Sequence, residues 1–260
     1  MSSAKKKNKK SLPTLISLFG CLILSSILLS SNKCRSNLFL INFRFHLKYR
    51  KQYQRGLSLP SVKIGVVGYQ GDVEEHMSTL KKIRTYDKVE ICKVKSKSEV
   101  ESLDGMIIPG GESTTIYKLM MESGIYDKVV EMALDGMPIM GTCAGVIILS
   151  KNTNDSRVRG MGLMDLEIQR NGYGRQWDSF IENVDIKYIG EFPAVFIRAP
   201  TILNQSGCEV MATLREKPIM VRKDNIIGLT FHPELTENTK IHEYFLSVTK
   251  GERGRFPLEV

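Results

Sequence analysis

A cysteine between small residues is the side chain best placed to do chemistry. Cys143 stands in the stretch Gly-Thr-Cys-Ala-Gly at 141–145, after the apolar run 137–140 and before the apolar run 146–149. A buried strand that turns sharply into a helix at small residues is typical of a nucleophile elbow, in which the reactive side chain projects from the strand end. The N-terminus of a helix also favours negative charge. The spacing therefore predicts that the sulfur of Cys143 is a nucleophile.

A base for this nucleophile stands late in the chain, in the stretch Phe-His-Pro-Glu at 231–234. If residues 226–234 are extended, side chains two positions apart lie on one face, so Glu234 can orient or electrostatically support the ring of His232. Cys143, His232 and Glu234 then form a triad. A lone cysteine more often fills a core. The glycines beside it, the strand before it and the later His-x-Glu together favour catalysis.

Alternating strand and helix patterns predict how these residues are positioned. The expected fold is α/β, a three-layer, mostly parallel sheet with helices on both faces, and its site lies beyond the carboxyl ends of the strands. The residues 152–159 are polar and are expected to form a surface loop. Predicted strands cover 62–68, 89–94, 104–108, 137–140, 163–168, 179–186, 194–197, 208–214, 218–222 and 226–230, and predicted helices begin at 73, 114, 146 and 237.

A glycine-rich stretch, Pro-Gly-Gly-Glu-Ser-Thr-Thr at 109–115, follows the third strand. A tight turn explains it on its own, with Ser113 as the cap of the next helix. In elbow hydrolases, however, one oxyanion-hole N–H belongs to the residue after the nucleophile and another to the loop after this strand. Ala144 and Gly111, in the Gly110–Gly111 loop, are therefore the predicted oxyanion donors.

Arginines and histidines outside the triad have weaker patterns. Arg170 and Arg198 stand at strand ends, where a guanidinium could pair bidentately with a substrate carboxylate. A solvated charge is the alternative for each of them, and for Arg175 as well. Structural or surface roles are expected for His76 and His242, and packing for Trp177.

The first 60 residues differ from the rest in charge. They hold 12 of the 37 Lys and Arg and no Asp or Glu. A basic cluster at 5–10, an uncharged run at 12–30 and a basic, acid-free stretch at 32–55 predict a leader for an organelle (plastid-like) or the secretory route, removed or disordered in the working enzyme. An uncleaved membrane anchor, or a mistaken start site, is the alternative. The catalytic domain is then 61–260, and a cytoplasmic location stays open.

The remainder of the chain excludes several classes of protein. Residues 61–260 carry 25 basic against 28 acidic side chains and no basic stripe with interleaved aromatics, which argues against nucleic-acid binding. Cys92, Cys143 and Cys208 are scattered, which argues against a disulfide framework or a zinc site.

Four stretches together, 109–115, 141–145, 196–200 and 231–236, resemble the class I (triad) glutamine amidotransferases. More narrowly, they are similar to the glutaminase subunits of pyridoxal phosphate synthase, over about residues 62–250. The resemblance implies a flavodoxin-like fold, with Cys143, His232 and Glu234 as nucleophile, base and orienting carboxylate. It places the glutamine-binding residues at Gly111, Glu112, Ser113, Arg170, Ile197 and Arg198. The leader and the loop at 152–159 depart from the family pattern.

The implied reaction hydrolyses L-glutamine to glutamate and ammonia through a glutamyl thioester. It needs no metal or organic cofactor. The ammonia would pass to a separate synthase subunit in a hetero-oligomeric complex, and we expect that subunit to activate the glutaminase by turning the Gly110–Gly111 peptide. Two alternatives remain: a glutaminase of histidine, purine or folate synthesis, and a non-catalytic regulatory module of the same fold. The stretches at 110–115 and 196–200 favour the synthesis of pyridoxal phosphate (vitamin B6), and the complete triad argues against the regulatory module.

Overall fold

The computed structural model describes residues 61–86, 89–170, 172 and 179–251. All of them belong to one structural unit, Lys48–Val260. The predicted leader, together with Arg175 and Trp177, lies outside the described residues. Within the described ranges, no helix is both long enough and apolar enough to cross a membrane.

The described chain alternates strands and helices in its first half and is mostly strands in its second. In chain order the elements are β1 (Val62–Val67), α1 (Val73–Lys82), β2 (Val89–Val94), α2 (Lys97–Val100), β3 (Gly105–Ile108), α3 (Ser113–Glu122), α4 (Ile125–Leu134), β4 (Ile139–Thr142), α5 (Ala144–Leu149), β5 (Ser150–Asn152), β6 (Met164–Gln169), β7 (Ser179–Ile186), β8 (Gly190–Ile197), β9 (Thr201–Ser206), β10 (Glu209–Leu214), β11 (Lys217–Lys223), β12 (Ile226–Leu229), a 3-10 turn (Pro233–Leu235) and α6 (Lys240–Thr249).

A seven-stranded sheet in the order β10-β11-β12-β4-β3-β1-β2 is the centre of the fold. The strands from β12 to β2 pair in parallel, and β10 and β11 continue the sheet in antiparallel pairs. The predicted α/β class, with a mostly parallel sheet, is confirmed. Because β4 lies in the middle of this sheet, its carboxyl end is flanked by strand ends on both sides.

Apolar residues on both faces of the sheet explain why its inner strands are uniformly buried. Met140 packs into a core with α1 and α6, whereas its neighbour Ile139 packs into a second core with α3, α4 and α5. Successive side chains of a strand point to opposite faces, so helices on both sides of the sheet are needed to cover them.

Several elements differ from those predicted. The short helix α2 and the strands β5 and β9 were not predicted, because short runs lack a clear period. The ten-residue helix α4 was also missed, although its buried residues recur at helical spacing. The expected surface loop at 152–159 is wrong in part. Thr153 and Val158 are buried, and the Asp155 side chain is only 9% exposed because it pairs with arginines.

Two smaller sheets stand beside the main one. The strands β5, β6 and β9 form one, and β7 and β8 form an antiparallel hairpin. The hairpin supports the site directly, since the backbone N–H of His232 donates to the carbonyl of Val195 in β8 at 2.8 Å.

Candidate active site

The predicted elbow lies at the carboxyl end of β4. Cys143 has φ 48° and ψ −100°, a backbone conformation that residues other than glycine rarely adopt, and α5 begins at the next residue. Its backbone N–H donates to the carbonyl of Leu229 at 2.8 Å, which ties the turn to β12. A Cβ at Gly145 would lie 2.1 Å from the carbonyl oxygen of Ile108, so a larger residue cannot occupy this position without a shift of the backbone. The predicted sharp turn from strand to helix is confirmed, and Cys143 is almost fully buried.

His232 and Glu234 meet as the sequence predicts, but through a different backbone. His232 Nδ1 lies 2.8 Å from Glu234 Oε1. The expected continuous extended segment is wrong, because β12 ends at Leu229 and the residues from Pro233 form a 3-10 turn. Proline at the first position of this turn favours it, since its fixed φ is helical.

Asp72 is a site residue that the sequence reasoning missed. Its Oδ2 lies 3.1 Å from His232 Nδ1, so two carboxylates face one ring nitrogen. The available signal was its position after Gly71, at the carboxyl end of β1, where a parallel sheet places its site. Oxygens of Asp72 and Glu234 and a nitrogen of His232 lie within 4.8 Å of one another, a spacing that could hold a cation. Because hydrogen bonds already join these atoms, we interpret the cluster as a histidine base held by two carboxylates and not as a cation site.

The electrostatics of the site favour a charged imidazole. Burial disfavours the charge, but hydrogen bonds with Asp72, Cys143 and Glu234 raise the pKa of His232 to about 12. The same contact with His232 lowers the pKa of Asp72, although partial burial opposes the shift. Since both carboxylates face Nδ1, the other ring nitrogen, Nε2, is left for the sulfur of Cys143.

The glycine loop is held in one orientation by neighbouring groups. The carbonyl of Gly110 accepts a hydrogen bond from the backbone N–H of Asp72 at 3.3 Å, and the N–H of Glu112 donates to Gln70 Oε1 at 2.8 Å. Gly111 has φ +138°, a conformation that favours glycine. The loop is therefore fixed from the same segment that carries Asp72. Gln70 is a second residue that the sequence reasoning missed.

Glu112, not Ser113, caps α3. The carboxylate of Glu112 accepts a hydrogen bond from the Thr115 N–H at 2.7 Å, whereas Ser113 is the first helical residue and its buried Oγ has no hydrogen-bond partner among the described residues. The predicted Ser113 cap is therefore wrong, because the helix begins one position earlier than such a cap requires. Burial opposes ionisation, but hydrogen bonds with Thr114, Thr115 and Arg170 lower the pKa of Glu112 to about 2.

Arg170 reaches the glycine loop from β6. Its Nη2 lies 3.2 Å from Glu112 Oε1, and its Nη1 pairs with Asp155. The structure thus brings Arg170 and Glu112 together, and both guanidinium contacts shown are with carboxylates of the protein. The loop at 152–159 takes part in the site through Asp155.

The end of β8 brings Ile197 to the elbow, and Arg198 is the next residue in the chain. The thiol of Cys143 lies 3.9 Å from the carbonyl oxygen of Ile197. Arg198 is exposed and has φ 44°, a left-handed conformation that is uncommon for a non-glycine residue. A strained backbone beside a nucleophile is a frequent feature of functional sites.

His76 and His242 are both fully buried, so the surface role considered for them is wrong. Their rings contact each other, with His76 Nδ1 2.9 Å from His242 Nε2. The sequence reasoning did not connect them with the triad.

Comparisons with known proteins agree with this geometry. The model of the SNO glutamine amidotransferase family matches residues 66–250. The pyridoxal 5'-phosphate synthase subunit PdxT of Thermoplasma acidophilum is 55% identical over 194 residues, which cover 74% of this chain and 96% of that protein. The PdxT of Archaeoglobus fulgidus is 44% identical, over 72% of this chain and 98% of that protein.

Solved structures share the fold. A crystal structure of a glutamine amidotransferase is 40% identical, with a TM-score of 0.67 over 72% of this chain and 98% of that one. The structure of PurLQS from Thermotoga maritima has a TM-score of 0.56 over 72% of this chain and 99% of that one, at 17% identity, and so supports the fold alone.

Proposed function

The chain belongs to the SNO glutamine amidotransferase family, and we propose that Cys143, His232 and Glu234 are its catalytic triad. The protein is a glutaminase that hydrolyses L-glutamine to glutamate and ammonia and supplies the ammonia for pyridoxal 5'-phosphate synthesis. The observation that carries the assignment of the triad is the contact of His232 Nδ1 with Glu234 Oε1 at 2.8 Å, beside a cysteine in an elbow conformation.

The first chemical step is attack by the sulfur of Cys143 on the side-chain amide carbon of glutamine. A charged His232 next to the sulfur stabilises the thiolate, which is the nucleophilic form. As the tetrahedral intermediate collapses, His232 gives its proton to the departing ammonia, and a glutamyl thioester remains. The neutral ring then takes a proton from water, which attacks the thioester and releases glutamate.

The oxyanion of each tetrahedral intermediate needs hydrogen-bond donors. The N–H of Ala144 is suitable because it follows the nucleophile at the start of α5, where backbone N–H groups have no helical acceptor. The N–H of Gly111 is the proposed second donor. Such a donor is worth roughly a hundred- to a thousandfold in rate.

The substrate groups that do not react are bound by the loop and the strand ends around the elbow. We assign glutamine binding to Gly111, Glu112, Ser113, Arg170, Ile197 and Arg198. The exposed guanidinium of Arg198 is the candidate partner for the substrate α-carboxylate. Arg170 acts mainly through Glu112, because the two side chains form an ion pair.

A synthase subunit is the proposed partner and the acceptor of the ammonia. The relatives are named as subunits of pyridoxal 5'-phosphate synthase, which supports a hetero-oligomeric complex. We propose that the synthase activates the glutaminase by turning the Gly110–Gly111 peptide. That movement would break the hydrogen bond between Gly110 and Asp72 and redirect an N–H at little steric cost, because glycines are involved.

The proposal is tested by ammonia and glutamate release from L-glutamine, measured for the full chain with and without the synthase subunit. We expect equal amounts of the two products and at least a tenfold rise with saturating synthase, set below the value of one oxyanion donor. An electrophilic glutamine analogue should label Cys143 and no other cysteine. The absence of hydrolysis in the verified complex would refute the function, and full activity of the isolated chain would refute the activation.

A further inference from the structure

A chain of buried polar side chains continues behind the triad. His76 Nε2 lies 3.4 Å from Glu234 Oε2, the carboxylate oxygen that does not face His232. The same nitrogen lies 3.1 Å from Thr142 Oγ1, and the other nitrogen of His76 lies 2.9 Å from His242 Nε2. The chain of contacts thus leads from Glu234 in the active site to His76 on α1 and then to His242 on α6.

Both histidines are neutral. Burial, followed by the nearby rings of His242 and His232, lowers the pKa of His76 well below its usual value. Burial alone lowers the pKa of His242 to about 3. Each ring therefore carries one proton, on one of two nitrogens, and the neighbours of each ring decide which nitrogen that is.

Two arrangements of these protons are possible. In the first, His242 Nε2–H donates to His76 Nδ1, and His76 Nε2–H donates to Thr142 Oγ1 and lies 3.4 Å from Glu234 Oε2. In the second, Thr142 donates to His76 Nε2, and His76 Nδ1–H donates to His242. The second arrangement directs a lone pair of His76 at a carboxylate oxygen and leaves an N–H on His242 Nδ1, a buried atom with no hydrogen-bond partner among the described residues.

The first arrangement is the favoured one. It places an N–H 3.4 Å from Glu234 Oε2, a buried oxygen that has no hydrogen bond in the described part of the chain, so the positive end of the N–H dipole faces the carboxylate. It also leaves only an acceptor unpaired on His242 Nδ1, and unpaired buried N–H groups are rarer than under-satisfied acceptors. Burial raises the pKa of Glu234, so a donor on its second oxygen matters for keeping its charge.

We propose that His76 is a positioning residue of the glutaminase reaction, holding Glu234 ionised and fixed through its Nε2–H while His242 sets its tautomer. The inference rests on the proposed function. Its consequence is that His232 keeps Nδ1–H on Glu234 and Nε2 towards Cys143. If the donor is lost, Glu234 takes up a proton or turns, and the base is no longer aligned.

The kinetic test compares two variants of His76 in the full chain with its synthase subunit. His76→Leu removes the donor, whereas His76→Gln keeps an amide N–H that can reach the same oxygen. We expect His76→Leu to lower kcat by about tenfold or more, the value of a hydrogen bond to a charged group. The KM for glutamine should change by less than about twofold, and His76→Gln should retain more activity than His76→Leu.

A double-mutant cycle separates positioning from stability. In a Glu234→Ala background, His76→Leu should cause no further loss, because the residue through which it acts is gone. The control is Leu80→Ala, a buried apolar change in the same helix, whose effect should be the same in both backgrounds. If His76→Leu lowers kcat equally with and without Glu234, the inference is overturned while the glutaminase function stands.

A measurement on the unaltered protein does not depend on activity. Nitrogen-15 NMR of the histidine rings should show His76 with its proton on Nε2 and no titration between about pH 6 and 8. The signal is assigned by its loss in His76→Gln. A proton on Nδ1 would overturn the inference even if the enzyme hydrolyses glutamine.

Discussion

Asp72 Oδ2 lies 3.1 Å from His232 Nδ1, the nitrogen that also contacts the triad carboxylate. The base thus has two anionic supports. Glu234 is buried in the turn after β12, whereas Asp72 is partly exposed and precedes α1, next to the glycine loop. This arrangement links the charge of the base to the segment that holds the proposed oxyanion loop.

The first prediction concerns this pair. Asp72→Asn keeps the shape but removes the charge, so the pKa of His232 should fall. We expect a loss of about 1 kcal/mol in the free energy of unfolding at pH 6, after allowance for solvent screening of Asp72. The pH of 6 is chosen because Asp72, whose pKa is lowered, is ionised there.

The sign of the pH dependence follows from linkage. A histidine whose pKa is raised on folding contributes its full stabilisation of the folded state at pH values below its unfolded pKa, about 6.5. This contribution is lost as the pH rises towards the folded pKa, about 12. In Asp72→Asn the folded pKa of His232 is lower, so the stabilisation should be lost completely at a lower pH than in the unaltered protein. Denaturant unfolding should therefore show a difference between the two proteins that narrows in the alkaline range. A difference that widens with pH would contradict the pairing.

The second prediction is that Cys143→Ala abolishes glutamine hydrolysis without loss of the fold, since a methyl group cannot attack a carbonyl. Cys143→Gly should be equally inactive but more stable than the alanine variant by about 1 kcal/mol, because glycine relieves the strain at φ 48°. Thermal unfolding and ammonia release measure the two effects. Cys208→Ala, at a free and partly exposed thiol, is the control and should stay active.

The third prediction is that Arg198→Ala raises the KM for glutamine about tenfold to a hundredfold, the value of a charge-assisted pair. Arg215→Ala is a matched control. Arg215 is also exposed, with φ 50°, but stands in the turn from the edge strand β10 to β11. Steady-state kinetics of both variants with saturating synthase make the comparison. An equal KM in the two variants would show that Arg198 does not bind the substrate.

The fourth prediction concerns the space at the elbow. Gly145→Ala should lower the free energy of unfolding by at least about 2 kcal/mol, because its Cβ meets the backbone of β3. At Gly207 a Cβ would meet no atom, but φ is +65°. Gly207→Ala should therefore lower the free energy of unfolding only by the backbone strain of about 1 kcal/mol. Denaturant unfolding compares them. Equal costs would mean that the elbow adjusts more freely than its packing indicates.

The fifth prediction is that deletion of residues 1–58 leaves glutamine hydrolysis unchanged, since the family match begins at residue 66. A fluorescent fusion of residues 1–60 should leave the cytosol for an organelle or the secretory route, because the basic and apolar order resembles a targeting leader. Microscopy in the source cell type is the measurement. A purely cytosolic fusion would contradict targeting.

Local sequence determined the elbow and the contact within His-x-Glu. The close approach at Gly145 and the two-residue spacing of His232 and Glu234 depend on atoms only a few residues apart or on the regular pairing of neighbouring strands. The sheet class followed in the same way from alternating patterns. These features depend on local geometry or on the pairing of adjacent strands, so residue type and spacing were enough to predict the elbow, the His-x-Glu contact and the sheet class, though not the 3-10 turn after His232.

Tertiary structure decided which distant groups support the base. Asp72 and His76 lie on either side of the start of α1, and His242 on α6, and no spacing in the chain relates any of them to His232 or Glu234. Only the packing of α1 against the 3-10 turn and α6 brings them together. Tertiary structure also determined that Glu112 caps α3, because the first residue of the helix depends on where β3 ends in the sheet. Contacts of this kind follow from how layers pack over the sheet, which residue type and periodicity do not specify.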